Sequence, residues 1–405
     1  MRSLFGYGVT TKAIAKSALW GQKWAIFDDK FAQEGKDEFG NTLLPPSQFD
    51  PQISELEVLS PGFNPRHELV AKARHLTSEY DFFAAQMPKN TIFISGTNGK
   101  TTTTQMCEFL LKDYGAQMGG NVGKPLATLN PEAQIWILET SSFTLHYTRL
   151  ARPLIYALLP ITPDHLSWHG SFEEYENAKL KPLKMMQKGS LAIVPAKYAK
   201  TPSYAKVIGY ENEEDLARIF GLDLKKLSFK TPFLLDAALA LSVAKVLTNE
   251  DLSAKLASFT IEQHKLEEFF DAQNRLWVDD TKATNIDAAC VAIKRYKEKF
   301  LRIILGGDDK GVDLTPVFEA LKTHSNAKIY AIGSNTQKLC DLAQQFAIPC
   351  EKCEFLEVAV EKIKAELKAG EVGLLSPACA SLDQFSSYAQ RGEEFKKFVL
   401  KPNLI

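Results

Sequence analysis

Gly96-Thr97-Asn98-Gly99-Lys100-Thr101-Thr102 sets two glycines, a lysine and a run of hydroxyls side by side, a combination that can hold a phosphate. The apolar run Ile92-Phe93-Ile94 ahead of it reads as a buried strand, and Gln105 to Lys112 after it carry apolar residues at helical spacing. A strand, a tight glycine turn and a helix N-terminus aim several backbone N–H groups and the positive end of a helix dipole at one point. Lys100 adds a mobile positive charge for the outer phosphates, and the Thr101 hydroxyl stands where such loops hold Mg²⁺. The general pattern G-x4-G-K-[ST] has its first glycine where Ile94 stands, so the loop is a variant built on Gly96 and Gly99.

Further chemistry follows downstream. The run Ile135-Trp136-Ile137-Leu138 delivers Glu139 to the end of a buried strand, where a carboxylate is costly unless it is paired or bound to metal. It reads as an acidic metal ligand beside the phosphate loop. Gly119-Gly120-Asn121-Val122-Gly123 reads as a glycine-rich turn that brings the Asn121 amide near a ligand or another backbone. Leu154 to Leu159 form another strand pattern, followed by Asp164-His165 and then by Lys179 on a helix that also carries Tyr175. A histidine alone is commonly structural; this arrangement after a strand is more specific.

The elements that must position these residues are read next. Residues 2–30 run strand, Gly6-Tyr7-Gly8, helix, second strand (Trp24 to Phe27) and Asp28-Asp29, a βαβ opening with a glycine loop at a strand end. Thr11 stands where a dinucleotide fingerprint needs its third glycine, which disfavours NAD. Leu56 to Leu59 lead into the turn Ser60-Pro61-Gly62. Beyond residue 260 a second α/β pattern ends its strands in polar clusters: Asp279 to Asn285, Gly306 to Gly311, Gly333 to Asn335 and Ser376 to Ser381. All would gather on one edge of a parallel sheet. The expected organisation is α/β with three domains, 1–87, 88–260 and 261–405: two Rossmann-like domains flanking a central P-loop ATPase domain with a mainly parallel sheet.

Bulk properties narrow the class. At 405 residues the chain exceeds one hydrophobic core. It is 45% hydrophobic and 24% charged with a net charge of −1, so nothing marks it for nucleic acid or an anionic membrane. No run approaches the roughly 20 apolar residues of a membrane span, and Leu4 to Val9 stop at Thr10-Thr11-Lys12 without a cleavage-like site, so the expected location is the cytoplasm. Six cysteines are scattered, and Cys350-x-x-Cys353 has no second pair to complete a zinc site.

Taken in order, these motifs make the sequence similar to the Mur ligases of peptidoglycan synthesis, over nearly its whole length. The resemblance rests on Gly96 to Thr101, Gly119 to Gly123, Glu139-Thr140-Ser141-Ser142-Phe143, Asp164-His165-Leu166 and Tyr175 to Lys179. It continues through Asp280-Thr281-Lys282-Ala283-Thr284-Asn285, Gly306 to Lys310 and Ser376 to Phe385. The last motif points to members that add D-glutamate to UDP-N-acetylmuramoyl-L-alanine. The resemblance implies an ATP-dependent ligase working through an acyl phosphate, with Lys100, Glu139, His165, Lys179 and Lys310 as its catalytic residues. It implies ATP contacts from Gly96, Thr97, Asn98, Gly99, Lys100, Thr101, Thr102, Asp280, Lys282 and Asn285. It implies two Mg²⁺ sites, one on Thr101 and Glu139 and one on Glu139 and His165, with Lys179 helping to hold metal as an N-carbamate. Gly8, Val9, Thr10, Asp28, Ser60, Asn121 and His165 would contact the UDP-sugar substrate. Thr284, Lys310, Ser381, Leu382 and Tyr388 would bind D-glutamate. A monomer is expected.

Some positions depart from the family pattern. Tyr388 stands for a usual Phe, His264-Lys265 for His-Arg, and Phe233-Leu234 for the His-Asn that opens the adenine-contacting helix. Three other readings compete. A folylpolyglutamate-synthase-like ligase would lack a Rossmann-like domain ahead of the loop, a silent nucleotide-sugar sensor would not need Lys100, Glu139, His165, Lys179 and Lys310 intact, and an oxidoreductase would need the missing third glycine.

Overall fold

A computed structural model describes residues 1–17, 23–121, 124–309, 311–324 and 326–401. The chain divides into two compact units, Met1–Phe259 and Thr260–Ile405.

The first unit carries two six-stranded sheets. The N-terminal sheet contains β1 (Arg2–Phe5), β2 (Ala25–Phe27), β3 (Gly35–Lys36), β4 (Thr42–Leu44), β5 (Leu56–Leu59) and β6 (Leu76–Thr77), in the order β3-β4-β2-β1-β5-β6. Every pair is parallel except β3 with β4. The chain builds outward from β1 through β2 and β4, then returns to place β5 on the other side of β1. The switch point therefore lies at the C-terminal ends of β1 and β5, where Gly6-Tyr7-Gly8 and Ser60 stand.

The central sheet contains β7 (Asn90–Ser95), β8 (Ala116–Gly120), β9 (Ile135–Glu139), β10 (Ile155–Leu158), β11 (Leu191–Pro195) and β12 (Lys206–Tyr210), in the order β12-β11-β10-β7-β9-β8 and wholly parallel. Both faces are covered, so its inner strands read as unbroken apolar runs. Successive side chains alternate between the two faces. Phe93, Trp136, Leu138 and Tyr156 join one cluster with Leu4, Ile26 and Val58 of the N-terminal sheet, so the unit's two sheets share apolar packing. Ile92, Ile94, Ile137 and Ile155 join another, with Met106 and Leu110 of the helix Lys100–Leu111 and Ala237 and Leu241 of the helix Phe233–Thr248. Burying each isoleucine contributes roughly 2 kcal/mol. The switch point falls between β7 and β10, which puts the phosphate loop and the segment after Leu158 side by side.

The second unit contains β13 (Glu267–Phe270), β14 (Leu276–Asp279), β15 (Leu301–Gly306), β16 (Ala327–Ile332), β17 (Cys350–Glu354) and β18 (Val372–Leu375), in the order β13-β14-β18-β15-β16-β17. Only β13 runs antiparallel. Because β18 inserts between β14 and β15, the loops after Asp279, Leu375 and Gly306 become neighbours.

Gly119 and Gly120 complete β8 rather than forming a turn, and the turn starts at Asn121. A Cβ on Gly119 would lie 2.7 Å from the Lys124 carbonyl oxygen, so the strand end admits no side chain there. Val122 and Gly123 lie outside the described residues.

Candidate active site

The phosphate loop joins β7 to the helix Lys100–Leu111. Its two glycines are needed for different contacts. Gly96, at φ +140°, lies so close to Leu159 that a Cβ would come within 2.5 Å of that side chain, and at Gly99, φ +81°, a Cβ would overlap the buried Asp236 carboxylate. The Lys100 amine donates to the Thr97 carbonyl at 2.7 Å. The Thr97 hydroxyl donates to the Thr162 carbonyl at 3.0 Å and accepts from the Thr162 N–H at 3.0 Å, which ties the loop to the segment after β10.

Glu139 ends β9, next to β7, and is buried. One carboxylate oxygen accepts from the Thr101 hydroxyl at 2.7 Å and the other from the Asn121 amide at 2.8 Å. Its carbonyl accepts from the Asn121 N–H at 2.9 Å and from the Tyr80 hydroxyl at 2.9 Å. Thr101, Asn121 and Glu139 thus form one connected set of oxygen and amide groups beside the phosphate loop.

Lys179 is only 1% exposed, on the helix Phe172–Met185. Its amine donates to the Gly96 carbonyl at 2.7 Å and sits 4.8 Å over the Tyr175 ring. Burial, reinforced by the charge of Lys100, drives this amine well below the usual lysine range, while Asp164 and Glu139 pull the other way.

His165 follows β10 in a left-handed conformation, φ +53°. Its N–H donates to the Asp164 carboxylate at 2.8 Å, and its ring lies 4.7 Å from that of Phe143 and 6.3 Å from that of Tyr175. The neighbouring Trp168 donates through its indole N–H to the Gly62 carbonyl at 3.3 Å. This bond links the His165 segment to the turn that begins at Ser60.

On the N-terminal sheet, Gly8 caps the helix Val9–Lys16, with Val9 and Thr10 in its first turn. The Ser60 hydroxyl lies 3.5 Å from where a Gly8 Cβ would sit. The Asp28 carboxylate accepts from the Tyr7 N–H at 2.7 Å and from the Lys30 N–H at 2.9 Å. Gly8, Asp28 and Ser60 therefore converge on the loop at the switch point.

In the second unit Asp280 follows β14. Burial pushes its carboxyl up to about 8, against the opposing Ser376 hydroxyl bond at 2.7 Å and the Leu266 N–H bond at 3.2 Å. The Lys282 amine lies 4.0 Å over the Tyr388 ring, which joins a residue expected at ATP to one expected at D-glutamate. Asn285 caps the helix Ile286–Arg295, and the Thr284 N–H donates to the Lys282 carbonyl at 2.8 Å. Ser381 is buried and Leu382 is 68% exposed. Lys310 lies outside the described residues. His264, Glu267 and Asp279 place potential ligand atoms within 4.8 Å of one another, but the Lys396 amine already bonds Glu267 and lies 3.9 Å from Asp279.

One residue of this unit's loop edge has no sequence-level counterpart above. Arg391 is 1% exposed and, among the described residues, has no carboxylate partner in its hydrogen bonds. Its guanidinium donates to the Thr281 hydroxyl at 2.9 Å, to the Thr281 and Cys379 carbonyls at 3.1 Å, and to the Gly306 and Ala380 carbonyls at 3.4 Å. It fastens the loops after β14, β15 and β18 together. The available signal was an arginine in helical register with Phe395 and Val399, both buried.

Residues 94–245 match the family model described as the Mur ligase middle domain. The chain belongs to the Mur ligase family. It is 56% identical over 401 residues to a UDP-N-acetylmuramoylalanine–D-glutamate ligase of Campylobacter jejuni subsp. jejuni (strain 81-176), a match covering 98% of this chain and 99% of that one. It is 48% identical over 419 residues to the protein of the same name from Helicobacter pylori (strain HPAG1), covering 98% and 99%. Among solved structures, MurF ligase from Thermotoga maritima in complex with ADP aligns with a TM-score of 0.59 at 17% identity, over 85% of this chain and 88% of that one. UDP-N-acetylmuramate-alanine ligase MurC of the same organism aligns with a TM-score of 0.57 at 14% identity, over 98% of each. These two show a common fold.

Proposed function

We propose that the protein is the ATP-dependent ligase that joins D-glutamate to UDP-N-acetylmuramoyl-L-alanine in cytoplasmic peptidoglycan synthesis. The observation that carries this reading is the 56% identity, over 98% of the chain, to a ligase of that name, together with Lys100, Thr101, Glu139 and Lys179 gathered at one loop. Residues 1–87 are assigned to the UDP-sugar, 88–260 to ATP and 261–405 to the amino acid. The N-terminal sheet also argues against a folylpolyglutamate-type ligase, for which no such domain ahead of the loop is expected.

A carboxylate must be activated before an amine can displace its oxygen. The substrate carboxylate attacks the γ-phosphorus of ATP, the new P–O bond forms as the β–γ bridge breaks, and ADP leaves. The D-glutamate amine then attacks the acyl carbon, and the tetrahedral intermediate expels phosphate as the amine loses its proton. Lys100 and the N–H groups of Gly96 to Thr102 hold the phosphates. Asn121 and His165 orient the nucleotide-sugar near its reacting end, while Gly8, Val9, Thr10, Asp28 and Ser60 hold its UDP. Asp280, Lys282 and Asn285 serve ATP, and Thr284, Lys310, Ser381, Leu382 and Tyr388 receive D-glutamate.

The Thr101 hydroxyl and Glu139 carboxylate are hard oxygen donors 2.7 Å apart, a set that fits Mg²⁺. Glu139 with His165 would hold a second ion. Bound Mg²⁺ neutralises charge on the phosphates and the transferring group. The depressed Lys179 amine fits conversion to a carbamate: its lone pair attacks CO₂, an N–C bond forms and a proton leaves. A group that repels cations becomes an anion that attracts them.

The test is phosphate release from ATP with UDP-N-acetylmuramoyl-L-alanine and one amino acid at a time. Turnover is expected with D-glutamate alone. Turnover with L-lysine or meso-diaminopimelate, or no turnover with any amino acid, overturns the assignment.

A further inference from the structure

Cys350 and Cys353 form the C-x-x-C of the sequence, yet β17 separates them. Residues three apart on a strand point to opposite faces. Cys353 packs with Tyr330, Ile332, Leu356 and Val360 on one face of the C-terminal sheet, and its thiol donates to the Glu351 carbonyl at 3.6 Å. Cys350 instead meets Cys340 of the helix Thr336–Gln345, with the two sulfurs 3.7 Å apart. Both thiols are free and only partly buried. The helix, a short loop and the edge strand bring them together across ten positions of sequence.

We propose that Cys340 and Cys350 are a dithiol that closes to an intramolecular disulfide when the protein meets a hydroperoxide. The Cys340 thiolate attacks the peroxide, an S–O bond forms, the O–O bond breaks and hydroxide leaves. The Cys350 sulfur then attacks the sulfenic sulfur, an S–S bond forms and the oxygen departs as water with the Cys350 proton. Two thiols lose two electrons and the peroxide gains them. The sulfurs need to approach to about 2.05 Å, a shift that side-chain rotation supplies from van der Waals contact. Burial and the neighbouring Cys340 push the Cys350 thiol up, which suits Cys350 to the resolving role.

The bridge would fasten edge strand β17, which has a sheet neighbour on one side only, to its covering helix. It sits at the N-terminal end of the strand, away from the loops that end the other strands. Oxidation is therefore expected to raise thermal stability by about 5 °C and to leave turnover within about twofold.

The experiment treats the full chain with hydrogen peroxide, alkylates the remaining thiols under denaturing conditions, and maps the peptides with and without reductant. The expected result is loss of two alkylatable thiols, a Cys340–Cys350 cross-linked peptide that reductant removes, and no cross-link in Cys340→Ser or Cys350→Ser. Cys353→Ser should retain the cross-link and the rise in melting temperature. A Cys350–Cys353 link, a link between chains, over-oxidised Cys340 without a link, or six alkylatable thiols after peroxide overturns the proposal.

Discussion

Replacing Arg391 with methionine separates the stability of the C-terminal unit from the geometry of its loops. Three of the arginine's bonds are short, to the Thr281 hydroxyl and to the Thr281 and Cys379 carbonyls. Leaving three buried acceptors without a donor costs about 1 kcal/mol each, or about 3 kcal/mol. Against this, burial lowers the guanidinium to about 10, so its charged form carries a penalty of roughly 3 kcal/mol that methionine does not. The two terms nearly cancel, and Arg391→Met should melt within about 4 °C of the unmodified protein. The loops bearing Thr284 and Ser381 lose their common tether, so kcat/KM for D-glutamate should fall at least about tenfold, equivalent to 1.4 kcal/mol. Arg391→Lys keeps a buried charge but cannot serve several acceptors with one planar group, so it should be the less stable of the two variants. Differential scanning fluorimetry and steady-state kinetics read both effects. Unchanged kcat/KM for D-glutamate in Arg391→Met, or a lysine variant more stable than the methionine one, would refute the reasoning.

Lys179→Ala should lose activity and recover part of it in short-chain carboxylates; absence of rescue at any concentration would count against the carbamate. Gly99→Ala must place a methyl group against Asp236 at positive φ, a conformational cost alone of about 1–2 kcal/mol. Its affinity for ATP, measured by calorimetry, should fall about tenfold or more, and an unchanged affinity would contradict the packing described. Glu79 is buried and held up to about 7 by desolvation, above its unfolded value of 4.5. The fold favours the protonated form, so this contribution is fully present below 4.5 and is lost as pH rises through 7. Between pH 4.5 and 8 the protein should lose about 3 kcal/mol relative to Glu79→Gln in urea unfolding. A gap between the two that does not change with pH would exclude this titration.

The strands that carry the site were legible because parallel strands covered on both faces are written as continuous apolar runs: Ile92 to Ile94, Ile135 to Leu138 and Ile303 to Leu305. β8, β12 and β17 were not legible. All three are sheet edges, with one hydrogen-bonded neighbour and partial exposure, and their sequences are rich in glycine or charge. The phosphate loop and Glu139 could be read locally, since the loop and the strand end are each defined by adjacent residues. Their 2.7 Å pairing through Thr101 required the sheet order that sets β9 beside β7. Arg391 and Asp236 escaped for the same reason: each meets its loop only through the tertiary fold. The C-x-x-C read only as lacking a second pair for zinc, and the approach of Cys350 to Cys340 depends on strand alternation that turns Cys350 toward a helix.

The most direct measurement of the central claim follows oxygen rather than turnover. UDP-N-acetylmuramoyl-L-alanine labelled with oxygen-18 in its terminal carboxylate is incubated with ATP, D-glutamate and the enzyme, and the released phosphate is analysed by mass spectrometry. If the carboxylate is activated as an acyl phosphate, one labelled oxygen appears in the phosphate for each amide bond formed. Amide formation with unlabelled phosphate would contradict that activation, and phosphate release without amide formation would contradict the ligase assignment itself.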